Sequence, residues 1–228
     1  AIKITPPIEL TGTGTQLATT PAARVALDGD VVDALRAACP TTTDLGERAE
    51  ASRDWWPLAM HWSLRGAVPQ LAAAVCSPAD TAQVAAVVRL CHEHGLPLTP
   101  AAGRSGVCGA SVPVFGGVLL DLSALQGVVS VDTTSGVVEV LAGTFGPDLE
   151  RELATHGQSV GHFPQSFDLA TVGGWVACRG AGQYSTRYGK IEDMVVGLEV
   201  VLADGSVVRT GGAPAAAVGP DLTQLFVG

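Results

Sequence analysis

Residues 163–188 read F-P-Q-S-F-D-L-A-T-V-G-G-W-V-A-C-R-G-A-G-Q-Y-S-T-R-Y. The stretch shows almost no helical or strand periodicity, so it is not expected to form a core on its own, and something else must order it. Ser166, Thr171 and the backbone N–H groups are donors suited to phosphate oxygens. Four glycines also allow the backbone to approach a ligand closely: Gly173, Gly174, Gly180 and Gly182. The segment therefore predicts one end of an extended nucleotide-binding site.

A second glycine-rich loop lies earlier, at 100–109, with the sequence P-A-A-G-R-S-G-V-C-G. Its glycines recur every third residue, unlike the G-x-G-x-x-G that opens a helix in dinucleotide-binding folds. Pro113 and the pair Gly116-Gly117 argue against a helix after the loop. Backbone amides can still cradle a pyrophosphate without a helix dipole. The two segments together predict a nucleotide cofactor site built from two parts of the chain.

Composition excludes several classes of function. The 228 residues include 13 Lys and Arg against 22 Asp and Glu, a net charge of −9. Such an acidic chain without a basic cluster is not expected to bind nucleic acid. No apolar run reaches the roughly 18–20 residues that span a bilayer, so stable membrane insertion is not expected. The missing initiating Met and the apolar end D-L-T-Q-L-F-V-G lead us to expect a piece of a longer protein.

Five cysteines form an odd set without C-x-x-C spacing, which disfavours a disulfide framework and a zinc site. We therefore predict a cytoplasmic protein with no metal, whose cysteines are mostly buried small hydrophobes. His162 lies beside the segment 163–188, where it serves either near a substrate or in a loop hydrogen bond. Cys178 is interpreted as a packing residue.

Residues 1–67 are predicted to form an N-terminal arm and a helical segment. The arm covers 1–23, a helix runs from Asp30 to before Pro40, and a second helix within 41–54 is capped by Thr42 or Thr43. Three tryptophans follow: Trp55, Trp56 and Trp62. They form either an aromatic patch for a substrate or partner, or an anchor that fixes this segment to the main domain.

Residues 68–125 and 126–228 are predicted to form two α/β subdomains with a cleft between them, an α+β arrangement. In the first, a helix capped by Ser77 and stopped by Gly95 connects parallel strands. Its predicted strands are 71–76, 96–99 and 117–122. The second subdomain is predicted to be mainly antiparallel with flanking helices. Its elements are hairpins over 128–141 and 195–209 and a helix over 147–156.

Four motifs resemble a known family. P-A-A-G-R-S-G, T-V-G-G-W-V-A, R-Y-G-K-I-E-D-M-V-V and E-V-V-L-A-D-G-S-V-V-R-T-G follow one another within 69–228. In this order they resemble the PCMH-type FAD-binding domain of the vanillyl-alcohol oxidase / p-cresol methylhydroxylase flavoproteins. R-G-A-G, Y-G-K-I-E-D and F-P-Q-S-F-D-L-A-T-V-G-G-W are most similar to alkylglycerone-phosphate synthase and bacterial FAD-linked oxidoreductases. The resemblance implies FAD between the two subdomains.

By match of motif, the resemblance implies three groups of cofactor-binding residues. Around the pyrophosphate are Pro100, Ala101, Ala102, Gly103, Arg104, Ser105, Gly106 and Val107. Beside the ribityl chain and the isoalloxazine are Pro164, Gln165, Ser166, Phe167, Asp168, Leu169, Ala170, Thr171, Gly173 and Gly174. Cys178, Arg179, Gly180 and Ala181 complete that side.

The chain departs from the family pattern at three positions in or near the first loop. Ala102 and Arg104 replace glycines, and Arg104 is either a phosphate ligand or a solvated loop residue. Several relatives attach the flavin through a His near this loop, whereas this chain has Cys108. Cys108 is therefore either a covalent tether or a buried thiol.

Three functions follow as hypotheses. The first is the FAD-binding part of an oxidoreductase acting on an alcohol or hydroxy acid. The second is an alkylglycerone-phosphate synthase-like transferase in ether-lipid synthesis, and the third is an interaction module without a cofactor. The partner expected is a small-molecule substrate, and a homodimer is left open. Substrate-binding and catalytic residues are expected beyond 228, so the chain alone should be inactive.

Overall fold

A computed structural model describes residues 25–212 and 219–228 of the chain. The arm predicted over 1–23 lies outside these residues. The described chain begins with three short helices and a two-residue strand. These are α1 (Gly29–Ala38), β1 (Thr41–Thr42), α2 (Leu45–Ala51) and α3 (Pro57–Ser63). The helix predicted to end before Pro40 is confirmed as α1.

The first sheet has four strands in the order β1-β2-β4-β3. Its remaining elements are β2 (Ala74–Cys76), α4 (Thr81–Glu93), β3 (Leu98–Ala101) and β4 (Val118–Asp121). Both β2 and β3 run parallel to β4, whereas β1 is antiparallel to β2. The parallel βαβ layer predicted from the sequence is therefore confirmed, with β4 inserted between its two strands.

The helix α4 covers this sheet with the apolar face that its periodicity predicts. Val84, Val87, Val88 and Cys91 are all buried in one core. The same core contains Val31 and Leu35 of α1 and Val118 and Leu120 of β4. Residues from the predicted N-terminal segment thus share the core of the first sheet.

Two predicted helix caps are wrong. The side chain of Asp80, not Ser77, caps α4 by accepting the N–H of Gln83 at 2.8 Å. Likewise Asp44, not a threonine, caps α2 by accepting the N–H of Glu47 at 3.0 Å. Thr41–Thr42 instead pair with β2, because β-branched residues suit the strand at the sheet edge.

The second half of the described chain contains two antiparallel hairpins and four helices. The elements are β5 (Val128–Asp132), β6 (Val137–Val140), α5 (Gly146–Thr155), α6 (Val172–Ala177), α7 (Ser185–Tyr188), α8 (Ile191–Met194), β7 (Gly197–Val201) and β8 (Val207–Gly211). Both predicted hairpins are confirmed, as two separate two-stranded sheets among the described residues. Leu149, Leu153, Trp175 and Ile191 form their shared core.

The β7–β8 hairpin packs against α4 and so joins the two halves of the fold. Thr81 Oγ1 donates to Glu199 Oε1 at 2.6 Å, and Arg209 Nε donates to the other oxygen of that carboxylate at 2.8 Å. At the hairpin turn, a Cβ on Gly205 would lie 2.8 Å from the carbonyl oxygen of Ala85. No helix within 25–212 or 219–228 is long and apolar enough to cross a membrane.

Candidate functional site

The predicted first loop leaves the carboxyl end of β3, which is where parallel sheets place ligands. Ala101 ends the strand, and no helix follows before β4. The backbone N–H groups of Gly103 through Val107 donate to no acceptor among the described residues. Arg104 adopts a positive φ of 51°. An amide-rich turn around a left-handed residue forms a concavity suited to anions.

The guanidinium of Arg104 contacts an acidic side chain within the protein. Its Nη1 donates to Asp121 Oδ2 at 3.2 Å. The Arg104 side chain is only 24% exposed, so the prediction of a solvated loop residue is wrong. Its role toward phosphate stays a prediction, because the Asp121 carboxylate already neutralises its charge.

Gly103 brings the loop against the second predicted segment. A Cβ at Gly103 would overlap the carbonyl oxygen of Leu169 and lie 3.3 Å from the Cα of Ala170. The residues 165–169 form a turn in which Ser166 O accepts the N–H groups of Leu169 and Ala170, each at 2.9 Å. The hydroxyl groups of Ser105 and Ser166 bond to no described residue. The two segments assigned to the cofactor are thus neighbours in space.

The segment 163–188 contains more regular structure than its sequence predicts. Thr171 caps the six-residue helix α6, and the ring of Trp175 in that helix is only 2% exposed. The segment is ordered, at least in part, by packing against other elements of the protein, because Trp175 shares a core with Leu149 and Leu153. The sequence pattern does not reveal α6, because its two glycines contribute no apolar side chains to a helical period.

The pair Gly173-Gly174 makes its close contacts inside the protein. Gly173 N–H donates to Ala142 O at 2.8 Å, and a Cβ on Gly173 would lie 2.8 Å from that of Ala142. Gly174 N–H donates to Thr171 Oγ1 at 3.4 Å. These two amides are therefore not available to a phosphate, and a cofactor role for either glycine stays a prediction.

The third predicted group, 178–181, follows the end of α6. Arg179 has a positive φ of 51°, and its Nε donates to Glu192 Oε2 at 3.1 Å. Gly180 donates its N–H to Trp175 O at 2.9 Å and accepts from Ile191 N at 3.1 Å. This group is consequently held by the protein on both sides of the turn.

His162 is buried next to that turn. Its side chain is 1% exposed, and a Cβ on Gly180 would lie 3.3 Å from its Nε2. The imidazole packs edge-on against Trp175, with 4.9 Å between ring centroids. Neither ring nitrogen has a hydrogen-bond partner among the described residues, so the predicted loop hydrogen bond is wrong. Burial lowers the pKa of His162 and favours the neutral ring.

The cysteines divide into two classes. Cys39, Cys76 and Cys91 are buried, as predicted. Cys108 and Cys178 are exposed, so the predictions of a buried thiol at Cys108 and of packing at Cys178 are wrong. Cys108 lies in the glycine-rich first loop, and Cys178 directly follows the last residue of α6. The protein core covers neither thiol.

The tryptophan segment lies beneath the first loop. Trp55 N–H donates to Gly106 O at 2.9 Å. A Cβ on Gly109 would lie 3.3 Å from Cε3 of Trp56, whose ring packs edge-on against Trp62. Of the two predicted roles, these contacts favour the anchor over an open aromatic patch.

The sequence motifs and this geometry agree with a comparison to known families. The family model described as an FAD binding domain matches residues 72–211. The chain belongs to this family. The FAD-binding domain assigned here includes the first loop, the segment 163–188 and the β7–β8 hairpin. The cofactor is FAD, as the family and the FAD-linked relatives indicate.

Two curated relatives are similar over the same region. The FAD-binding domain is 42% identical over 159 residues to an uncharacterised FAD-linked oxidoreductase of Escherichia coli (strain K12). It is 34% identical over 156 residues to a glycolate oxidase subunit of Bacillus subtilis (strain 168). Each match covers 68% of this chain and 32% or 33% of the relative. The chain thus spans about a third of the length of these relatives.

Two solved structures share the fold. An alkyldihydroxyacetonephosphate synthase matches with a TM-score of 0.78 and 26% identity, over 94% of this chain and 41% of that one. A p-cresol methylhydroxylase matches with a TM-score of 0.72 and 22% identity, over 89% of this chain and 41% of that one. The predicted α+β fold of the PCMH type is therefore confirmed.

The first loop fits the anionic part of FAD. Five successive amides, Gly103 through Val107, lack protein acceptors, and the hydroxyls of Ser105 and Ser166 are free among the described residues. Sequence reasoning missed Asp121, although an acidic residue ending the apolar strand V-L-L-D is a recognisable signal at this edge. It also missed Asp54, for which the local sequence offers no signal.

Proposed function

We propose that this FAD-binding domain is part of a flavin-dependent oxidoreductase that acts on an alcohol or a hydroxy acid. The contact between Gly103 and Leu169 carries the proposal, because it unites the amide-rich loop with the segment assigned to the flavin. Similarity to an FAD-linked oxidoreductase and to a glycolate oxidase subunit supports the reaction class. When bound, FAD supplies the electron-accepting ring.

The residues of this chain would bind and orient the cofactor. Amides of Gly103 through Val107 would donate to the pyrophosphate oxygens, while Ser105 and Ser166 offer one hydroxyl group from each of the two segments. Phe167 stacks on Trp175, with 6.1 Å between ring centroids, and gives the second segment an apolar backing that excludes water. We propose that substrate-binding and catalytic groups come from the part of the relatives that this chain does not span.

A visible absorption spectrum tests the proposal. We expect a flavin band in the purified protein, released into the filtrate after denaturation, and bleaching by a hydroxy acid under anaerobic conditions in a protein of the relatives' length. A band that stays with the chain would instead identify a covalent tether, for which Cys108 is exposed. A bound flavin that neither alcohols nor hydroxy acids reduce would contradict the oxidoreductase proposal.

A second candidate is a transferase that exchanges an acyl for an alkyl group, as in ether-lipid synthesis. The match to alkyldihydroxyacetonephosphate synthase over 94% of this chain favours it. Exchange without net reduction of an electron acceptor would support this function over the first. The third hypothesis, an interaction module without a cofactor, has no support from the loop, because Ala102 and Arg104 leave the following amides free.

The partner proposed in both cases is a small-molecule substrate. We also propose a cytoplasmic location, since all five cysteines are free thiols. Fractionation of the native host, followed with an antibody against this chain, tests the location. Recovery in an oxidising compartment would contradict it.

A further inference from the structure

A buried carboxylate lies directly beneath the first loop. Asp54 is 1% exposed, and its Oδ1 accepts the N–H of Trp56 at 3.0 Å. Its Oδ2 has no hydrogen-bond partner among the described residues. A buried, incompletely paired carboxylate is unfavourable for folding by itself. Its presence therefore calls for a role in the surrounding structure.

The segment that carries Asp54 contacts the loop at two glycines. Trp55 N–H donates to Gly106 O at 2.9 Å, and a Cβ on Gly106 would lie 3.7 Å from Asp54 Oδ2. Three residues further on, a Cβ on Gly109 would lie 3.3 Å from the ring of Trp56. The segment 54–56 thus supports the second half of the loop, at Gly106 and Gly109.

The electrostatics of Asp54 link it to the second half of the loop. Burial raises the pKa of the Asp54 carboxyl, while the amides of Trp56, Gly109 and Ser111 favour its charged form and oppose that rise. Only the Trp56 amide has full hydrogen-bond geometry. The geometry places the other carboxylate oxygen, Oδ2, 3.7 Å from a Cβ built on Gly106. Among the described residues, the amides of 103–107 donate to no acceptor.

We propose that Asp54 is the positioning residue of the pyrophosphate-binding loop. Its carboxylate anchors Trp56 through the backbone N–H of that residue and lies against Gly106, so that the segment 54–56 fixes the loop at Gly106 and Gly109. The amides of 103–107 are thereby presented to the phosphates of FAD. Because its side chain is 1% exposed, Asp54 acts through the loop and does not touch the cofactor. The proposal explains why a buried acidic residue lies beside a site for an anion.

The substitution Asp54→Asn tests this role with little change in volume. Asn retains an oxygen for the Trp56 amide but replaces the buried Oδ2 beside Gly106 with an NH2 group and removes the charge. We expect the dissociation constant for FAD, measured by flavin fluorescence quenching on the apoprotein, to rise at least tenfold. Hydrogen exchange at Gly109 and Ser111 should accelerate, while exchange within α4 stays unchanged.

Asp44→Ala is the matched control. Asp44 caps α2 in the same N-terminal region, and its removal costs about 1 kcal/mol of stability. We expect this variant to melt earlier and to bind FAD as tightly as wild type. Trp56→Phe, which thins the support under Gly109, should weaken FAD about threefold and serves if Asp54→Asn does not fold.

Two results would overturn the proposal. One is unchanged FAD affinity in Asp54→Asn, or in Trp56→Phe where the former does not fold. The other is an affinity loss in Asp44→Ala as large as in Asp54→Asn, which would reduce the effect to general destabilisation. A wild-type protein that binds FAD but is not reduced by substrate would contradict the oxidoreductase function alone.

Discussion

Gly103 lies so close to Leu169 that a Cβ on the glycine would overlap the carbonyl oxygen of Leu169. Gly103 follows a strand of the first sheet, and Leu169 precedes a helix packed in the second core. This contact brings together two segments that lie more than sixty positions apart in the sequence. The close approach of the two segments depends on the absence of a side chain at Gly103.

Substitution of Gly103 should therefore be far more harmful than substitution of Gly106. We expect Gly103→Ala to lower the free energy of unfolding by about 1–3 kcal/mol, because the new methyl group overlaps a backbone oxygen. Gly106→Ala introduces only a 3.7 Å contact and should stay within about 1 kcal/mol of wild type. Urea denaturation of both variants measures the difference, and equal losses would contradict the close contact.

A double substitution tests whether Arg104 contacts the phosphate of FAD or only neutralises the carboxylate of Asp121. Arg104→Ala leaves the Asp121 carboxylate, 18% exposed, without its partner beside the pyrophosphate loop. We expect FAD to bind several-fold more weakly, and Asp121→Asn in the same chain to restore most of the affinity by removing the uncompensated charge. Titration with FAD measures this cycle. If Asp121→Asn restores nothing, Arg104 binds the phosphate itself.

Stability should depend on pH through His162. Burial lowers the pKa of its ring below the ordinary value of about 6.5, so the unfolded chain binds the proton first as pH falls. The contribution of neutral His162 is complete above about pH 6.5 and is lost progressively as pH falls below it. His162→Phe keeps a ring against Trp175 and should flatten the dependence of the melting temperature between pH 7.5 and 5.

Identical slopes for wild type and His162→Phe would contradict the buried neutral ring. Because neither nitrogen of His162 has a partner among the described residues, we also expect His162→Phe to be at least as stable as wild type at pH 7.5.

Thiol reactivity should distinguish two cysteines from the other three. Burial raises the pKa of Cys76 to about 12 and that of Cys91 to about 11, which leaves almost no reactive thiolate at pH 8. In the folded chain a disulfide reagent should therefore modify Cys108 and Cys178 and spare Cys39. Mass spectrometry of labelled peptides identifies the sites. Rapid labelling of Cys76 in the folded state would contradict its burial.

The parts of the fold with strong local patterns could be predicted from the sequence. The apolar positions Val84, Val87, Val88 and Cys91 identify the buried face of α4, because a helix repeats every 3.6 residues. The hairpins follow equally from strand alternation around short turns. The caps of α4 and α2 could not be predicted, because several nearby side chains can accept hydrogen bonds from the same N–H groups. The backbone conformation of the folded chain decides which side chain forms the cap.

The site was predictable at the level of segments but not of individual contacts. The loop at 100–107 and the segment at 164–171 carry recognisable glycine and serine patterns. In contrast, the ion pair of Arg104 with Asp121 joins neighbouring parallel strands, and Asp54 approaches the loop from an earlier helical region. Neither contact corresponds to a fixed spacing along the chain, so no local sequence pattern predicts which two residues will meet.

The hairpin turn at Gly205 makes a close backbone contact with α4, and Gly103 makes a similar contact with the segment before α6. The two halves of the fold are therefore in close contact at two separate places. Together these contacts resist a hinge motion that either contact alone would permit. The relative position of the two segments that would hold FAD is therefore fixed before the cofactor binds, and little binding energy is consumed in bringing them together. Uptake of FAD should accordingly follow a single kinetic phase whose rate rises linearly with FAD concentration.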